Sequence, residues 1–528
     1  FILLLSAIIG LEPVISRLCG ATSIEEVSID RVEYFYYLKE HPISLNSASR
    51  SKLMSMGVLT PFQTASILDY IERNGDILSV FELSSVPGIS EELALDLSYF
   101  LSFESNSIVG QSLKVPRVKS DASMRTTFKS GNLSSLYKVC ADYDDKIEVA
   151  ACAKEELESA YLRCGFRLFP SLMHGRFSAI LGSFNANLGQ GLLLWSGFQM
   201  NSFTDIGSFS KNPSGFVSSN SSSSKNNLSG VVLSYDAHFA GVSFCCAQKD
   251  VMVLHSDFYT KRSSFGTTLL RDKGVWGLSA DFKSTFRKTT FWAELAGRLN
   301  QDGAVSSALV WGCMYNYGYR RKIGVRGQLC GSQFDGKNRF SVGCDWHKIS
   351  LVADAIKDDK GVVLKTTTRY VSDFELKDWS CEYEFRHKGQ FKSGISSENT
   401  FRTKFLVRRK NFIIEPCFEV KKGTIWSKSF FIKLGEKTDK KSIIGFMSVF
   451  DAPLWKERLY ISTPDVPGSF NVKAFYGQGI ELGAYAGVKD IAVKVSWKKF
   501  FDDKPSNFEM KFFIRLKSSF SMKARKRD

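Results

Sequence analysis

From about Ser120 to Phe520 the chain alternates apolar and polar residues with a period of two, which restricts it to a very large β-sheet. Ile491, Val493, Val495 and Trp497 are apolar, while the intervening Ala492, Lys494, Ser496 and Lys498 are small or basic. The last such stretch sets Met510, Phe512, Ile514 and Leu516 against Lys511, Arg515 and Lys517, with Phe513 as its one exception. Residues two apart in a strand share a face, so each segment has an apolar side and a wet side. Many such segments with almost no helical stretch between them predict one antiparallel sheet, and a sheet of that size must close or expose its edges.

Spacing sets the strand number. About 400 residues at ~16 per strand and connection predict roughly 22–26 strands, within the range of outer-membrane barrels. Turn signals such as Asn300–Gly303, Asp335–Asn338 and Lys357–Gly361 separate the segments. Pro is scarce, at 12 in 528 residues, as expected when most backbone donors are committed to a ladder. The 43 Phe and overall 13% aromatic content fit either an aromatic core or the girdles of a membrane barrel. Alternation alone does not distinguish lipid from a second sheet, so a soluble β-rich protein is the competing architecture.

The first eleven residues, Phe1 to Leu11, are apolar and precede small residues near Cys19-Gly20-Ala21. The run is too short to cross a bilayer and is read as part of a signal peptide over 1–21, with no initiator Met or basic start, as in a truncated leader. The eleven cysteines form no C-x-x-C pair and have no His at zinc-ligand spacing. No metal or cofactor is expected, and the scattered histidines and carboxylates suggest no catalytic residue.

Residues 43–102 have helical periodicity. Asn46 or Ser47 is a candidate N-cap, a break follows at Met56–Pro61, and a helix is expected from Phe62 to Arg73, stopped by Asn74-Gly75. Ser79–Ser85 leads into Val86-Pro87-Gly88-Ile89-Ser90, and a last helix is expected from Glu91 to about Leu101. Two short helix–turn–helix units in tandem, with Leu45-Asn46-Ser47-Ala48-Ser49 and Phe81–Ile89 as their spellings, resemble the double helix-hairpin-helix domain of competence-type DNA receptors. The resemblance implies contact with phosphate, or with a partner, at Gly57, Pro87, Gly88 and Ile89. The charge opposes DNA: between Ala21 and Glu104 there are 13 acidic and 5 basic residues, where a phosphate footprint should be basic.

The remainder of the chain carries the opposite sign, since the whole is +16. Lys322, Arg326, Arg402, Lys404, Arg408, Lys494, Lys498, Arg515 and Lys517 fall on the polar faces of their segments and define a candidate cationic lumen. The alternative is that they sit near the rims and balance acidic neighbours or lipid phosphates.

One long irregular stretch, Ser202 to Asn227, ends in a Ser-rich run and reads as an external loop. Just before it lies Leu181 to Phe198, containing Gly189-Gln190-Gly191 and Leu194-Trp195-Ser196-Gly197. Together with the helical region, these residues resemble a family of Bacteroidota exported proteins in which a helix-hairpin-helix segment precedes a β-barrel-like region. Gly189, Gln190, Gly191, Trp195 and Gly197 are the anchors of that likeness, which speaks to architecture more than to function.

The expectation is a mainly β protein with a small all-α N-terminal domain. Its parts are a leader at 1–21, a tandem helix-hairpin-helix domain at 22–104, a linker at 105–119, a barrel at 120–520 and a basic tail at 521–528. Its partners are outer-membrane lipid and, through the acidic helical domain in the periplasm, another envelope protein. The leading function is a channel or envelope-assembly barrel, not an enzyme, with the helices as plug, gate or docking module. The alternative is a DNA-uptake component; nucleic acid is disfavoured by local charge.

Overall fold

Period-two alternation becomes a single antiparallel circuit of 24 strands, from Arg117–Lys129 to Asn507–Ser521, in a computed structural model. The model describes residues 11–21, 24, 27, 29–48, 50–104, 117–143, 146–154, 157–168, 175–196, 203–221, 228–237, 239–248, 250–260, 262–300, 303–318, 321–334, 336–358, 361–392, 395–438, 441–469, 472–502 and 505–521. The first and last strands pair along their lengths, from Glu509 opposite Lys129 to Ser521 opposite Arg117, and close the ring. Closure leaves no unpaired edge, which is the solution a sheet of this length requires. The short strand Gly215–Ser218 extends one position in the ring, pairing with the end of Gly175–Asn187 beyond the reach of Leu228–Ala237.

Register keeps the apolar face continuous from strand to strand. Leu233, Phe244, Leu254, Leu269 and Leu278 stand opposite one another across five adjacent strands, and all point outward and are exposed. The alternate residues point inward: Lys494 is fully buried between outward Val493 and Val495. An outer surface of this extent made of exposed Leu, Phe, Val and Trp is far beyond what an isolated soluble chain presents to water.

Connections differ between the two rims. At the rim where the first strand begins and the last ends, hairpins are short, such as Arg287-Lys288, His347-Lys348 and Lys410-Asn411. The two long connections, after Gly175–Asn187 and after Lys441–Ala452, both leave from the opposite rim and fold back into the lumen.

The helices come before the ring. Leu11–Leu18, Ile29–Glu40, Arg50–Ser55, Pro61–Asn74, Val80–Ser84 and Glu91–Leu97 surround a core that includes Ile15, Phe35, Leu53, Leu83 and Phe100. Thr60 and Gln63 form a reciprocal capping box at the start of the helix expected from Phe62, and Gly75 ends it with φ +90°. Asn46 does not cap a helix. Its amide ties Ile77 on both backbone groups and bonds the Glu104 carbonyl, cross-linking the ends of the segment.

Other boundaries move. Residues 1–10 of the expected leader lie outside the described residues, whereas Leu11–Leu18 is a helix packed into the helical core, with Arg17 paired to Asp96 at 2.6 Å. Residues 105–116 of the expected linker and 522–528 of the basic tail lie outside the described residues, and the first strand already begins at Arg117. The final helix stops at Leu97; Leu101-Ser102 instead pairs in parallel with Ile43-Ser44. All eleven cysteines are free thiols.

Candidate functional site: the occluded lumen

Three segments enter the lumen: the helices from the short-turn rim, and the two long connections from the other. Each is held by inward-facing side chains of the wall.

The helices touch the wall at widely separated strands. Lys52 approaches Glu148 at 3.9 Å, His41 approaches Asp121 at 3.9 Å, and the Arg50 guanidinium lies 3.8 Å above the Tyr259 ring. On another side, burial opposes ionisation of Glu12, but Lys433, Lys437 and Lys404 outweigh it and hold the carboxyl below its usual range. Burial, reinforced by Arg515, lowers the His41 pKa, so its ring is predominantly neutral at pH 7.

The first long connection opens with the Gly-Gln-Gly-Leu signature, which folds as a hook. Leu188 N–H donates to the Leu194 carbonyl at 3.2 Å, and Ser196 N–H donates to Ala186 at 2.8 Å. The hook is pinned by Glu294 of the wall, whose carboxylate accepts from the N–H groups of Gln190 at 2.7 Å and Leu192 at 3.2 Å. Gly189 is required by both conformation and space: its φ is +54°, and a Cβ would lie 3.0 Å from the Glu294 carboxyl carbon. Gly191, at φ +80°, would bring a Cβ to 2.7 Å from Lys211 Nζ and 3.1 Å from the Trp195 Cβ. The Gln190 side chain then holds the rest of the connection through two bonds to the Lys211 backbone, at 3.0 and 2.9 Å. Trp195 lies beneath Lys211, with Nζ 4.5 Å from its ring centre; Gly197 lies outside the described residues.

The stretch expected to be an external loop is therefore internal in its described part. Phe203, Ile206 and Phe209 are buried against Trp292 and Val352 of the wall, and Asn212 donates to the Val58 carbonyl of the helical segment at 2.8 Å. The spacing of these three apolar residues was the signal for burial; the Ser-rich run beyond them obscured it. Residues 222–227 of that run lie outside the described residues.

The second long connection contains a short hairpin, Leu459–Ser462 with Val472–Phe475, which no periodic pattern in the sequence marks. Asp465 receives Lys494 at 3.2 Å and Lys511 at 2.8 Å, and Lys473 bridges Glu481 at 2.5 Å and Glu509 at 2.8 Å. Val466 of this connection packs on Phe513, which explains the one break in the alternation of the last strand.

The expected cationic residues are thus inward-facing, but many are paired. Arg402 bonds Glu419 at 2.7 Å, Lys404 meets Glu415 at 3.1 Å, Lys517 meets Asp490 at 3.3 Å, and Arg515 bonds Asp121. Arg326 donates to the Phe209 carbonyl and to Gln328 at 2.8 Å. Lys498 lies among Phe450, Phe475 and Phe500, with Nζ 4.4–5.0 Å from the ring centres, while Lys322 and Arg408 lie on the inner faces of their strands. The hairpin residues separate: Gly57 is covered by Arg31, which donates to its carbonyl at 3.2 Å, whereas Pro87 and Gly88 are exposed and Ile89 is buried.

Between the helices, the first connection and the wall there remains a cavity of about 1840 Å³. Among the described residues, no group of His, Cys, Asp and Glu is arranged to hold a metal ion.

No protein-family model matches the sequence, and no curated protein does. Among solved structures the chain is similar to the translocation pore of the P pilus usher PapC, at 7% identity over 77% of this chain and 100% of that one, with TM-score 0.38. It is also similar to OccK3 (OpdO) of Pseudomonas aeruginosa, at 9% identity over 76% of this chain and 96% of that one, with TM-score 0.32. A BenF-like porin from Pseudomonas fluorescens Pf-5 matches at 8% identity over 77% and 98%, with TM-score 0.31.

Proposed function

We propose that the protein is an outer-membrane channel or envelope-assembly barrel in which the helical segment is a plug or gate. The observation that carries this reading is the combination of a closed ring, apolar outside, with a lumen filled from one rim by helices and from the other by the Glu294-held connection. An apolar exterior row with charged residues inside is the arrangement a lipid bilayer selects. Short turns at the rim that receives both ends of the strand circuit support a periplasmic position for that rim and for the helices. The helices meet the wall through polar contacts such as Lys52–Glu148 and His41–Asp121, which suit a plug that moves more than a fused core does. The likeness to Bacteroidota exported helix-hairpin-helix proteins agrees with this division into a helical module and a barrel.

DNA uptake through the helices is less well supported. The Gly57 turn is occupied by Arg31, and the next carbonyl by Asn212, while the exposed Gly88 turn is followed by Ser90 and Glu91. Docking of another envelope protein on this acidic segment is the second role we assign to it.

The test is planar-bilayer recording of the full chain and of a chain lacking residues 11–104, each first shown to shift mobility on heating, as closed barrels do. The expected result is a quiet full chain and a steady, large conductance from the shortened one. Equal conductance from both would overturn the plug.

A further inference from the structure

The first long connection is fastened to the wall and to the helices at once. Its hook is held by Glu294, and the Gln190 side chain ties the hook to the Lys211 backbone. Between those points Ile206 and Phe209 seat in a notch of the wall. Gly324 and Gly343 stand opposite each other there, and a Cβ on either would lie 3.2 Å from Ile206 Cδ1 or Phe209 Cζ. The wall leaves out two side chains where the connection supplies two.

The same stretch reaches the helices in three places. Gly207 backs onto Gly20, just after the helix Leu11–Leu18: a Cβ on Gly20 would lie 2.9 Å from the Gly207 carbonyl carbon. Asn212 uses both ends of its amide. Its Oδ1 accepts from the ammonium of Lys283 on the wall at 2.6 Å, and its Nδ2 donates to the Val58 carbonyl at 2.8 Å. A primary amide suits this joint because it carries a donor and an acceptor on one planar group, so neither bond forms at the other's expense. The strand Gly215–Ser218, which pairs with the wall, lies beside the helix Arg50–Ser55.

These contacts lie in series. Glu294 fixes the hook, Gln190 passes the hold to Lys211, and the next residue, Asn212, passes it to Val58. Both ends of the connection join the barrel at the rim opposite the helices. We infer that the first connection is a transmission between the two rims: docking of its hook on Glu294 sets how firmly the helical turn at Val58 is held. A partner or solute that draws the connection outward thereby loosens the helices from the far side, without touching them. Lys52–Glu148 and His41–Asp121 hold the helices independently of the connection, so release of the hook frees one turn rather than expelling the segment. The inference rests on the plug reading for its meaning, since loosening the helices matters to transport only where they close the lumen.

The experiment is hydrogen exchange read by mass spectrometry on the detergent-solubilised full chain, comparing the parent with Glu294→Ala, Asn212→Ala and the double variant. The reporters are the Met56 and Gly57 amides, which donate to Leu53 and Met54 in the turn that Asn212 bonds, and the Gln190 and Leu192 amides of the hook. Glu294→Ala is expected to speed exchange at Met56 and Gly57 about fivefold or more, although Glu294 bonds neither. Coupling is reciprocal, so Asn212→Ala is expected to speed exchange at Gln190 and Leu192. In the double variant the effects should fall short of their product, because both substitutions break one chain of contacts. Lys428→Gln alters a lysine paired with Asp451 on other strands and is expected to leave all four amides at the parent's rates. Heat-modifiable mobility of each variant confirms that the barrel is closed. Unchanged exchange at Met56 and Gly57 in Glu294→Ala, effects that simply multiply, or equal acceleration in Lys428→Gln would overturn the inference. Conductance is a separate readout: a failed plug leaves this coupling standing, and a failed coupling leaves the plug standing.

Discussion

The Glu294 carboxylate accepts a hydrogen bond from the Gln190 backbone at 2.7 Å, joining the barrel wall to a hook more than a hundred residues earlier in the chain. The same oxygen accepts from Leu192, so one side chain satisfies two donors that burial would otherwise strand. Glu294→Ala leaves both N–H groups without their acceptor, at about 1–3 kcal/mol each. The expected outcome is a loosened first connection in a barrel that still closes. Hydrogen exchange at Gln190 and Leu192 should accelerate by tenfold or more, and unchanged protection would show that Glu294 is not the latch.

Lys211 gives the same connection a pH dependence. Burial, with Arg326 next in effect, lowers its pKa to about 7, partly opposed by the Glu294 carboxylate. Released into water, the group titrates near 10.5. Between these values the docked form binds fewer protons than the released form, so docking strengthens as pH rises from about 7 toward 10. Below pH 7 the ammonium is charged in both forms and the cost of burying it is fully present. Protease cleavage within 203–221 should therefore fall as pH is raised, and Lys211→Met should flatten the profile.

How much of this was readable depended on whether the information was periodic. Alternation located Lys494, Arg402 and Arg515 on the inner face because a two-residue period fixes the side of a sheet without knowledge of its neighbours. It did not reveal their partners: Asp465 reaches Lys494 from a connection with no period at all. Phe513 looked like an error in the pattern until Val466 supplied the apolar contact that makes it an inward residue. Asn46-Ser47 has the spelling of a cap because caps are local, whereas the Asn46 side chain joins Ile77 and Glu104. The helices Leu11–Leu18 and Ile29–Glu40 were missed for related reasons: one begins where an apolar leader was read, and the other mixes aromatic and charged residues without a clear stripe. The signature glycines were recognised as a motif, but only Glu294, far away in sequence, explains why a side chain cannot replace Gly189.

Asp465 sets the hold on the second long connection. Lys494 and Lys511 converge on its carboxylate, and all three are buried. Asp465→Asn removes the countercharge from two ammonium groups, a change of the kind that costs about 3–5 kcal/mol. The expected outcome is release of residues 453–476 from the wall, read as new protease cleavage there and a lower temperature for the heat-modifiable shift. A variant as resistant as the parent would mean that Glu509 and Thr463 suffice for the lysines.

The membrane assignment has its own test on one strand. Leu278 is 62% exposed on the outer face, within the row that runs from Leu233. Leu278→Arg should destabilise the vesicle-folded barrel by about 2–4 kcal/mol in a urea titration. Lys322→Gln, on the lumen face, should change it by only about 0.5 kcal/mol. Similar small effects at both positions would indicate that water rather than lipid covers Leu278.

The pairing of Arg117–Lys129 with Asn507–Ser521 also dictates an order of assembly. The helices leave the ribosome first, yet the ring that surrounds them cannot shut until the last strand has been made, because its seam joins the two most distant strands of the circuit. A helical segment that packs on its own core early can wait within the unclosed sheet and be enclosed when the seam forms. If the helical segment is the plug we propose, the stopper is built before the bottle, and opening the lumen would require shifting it within a wall that has no gap.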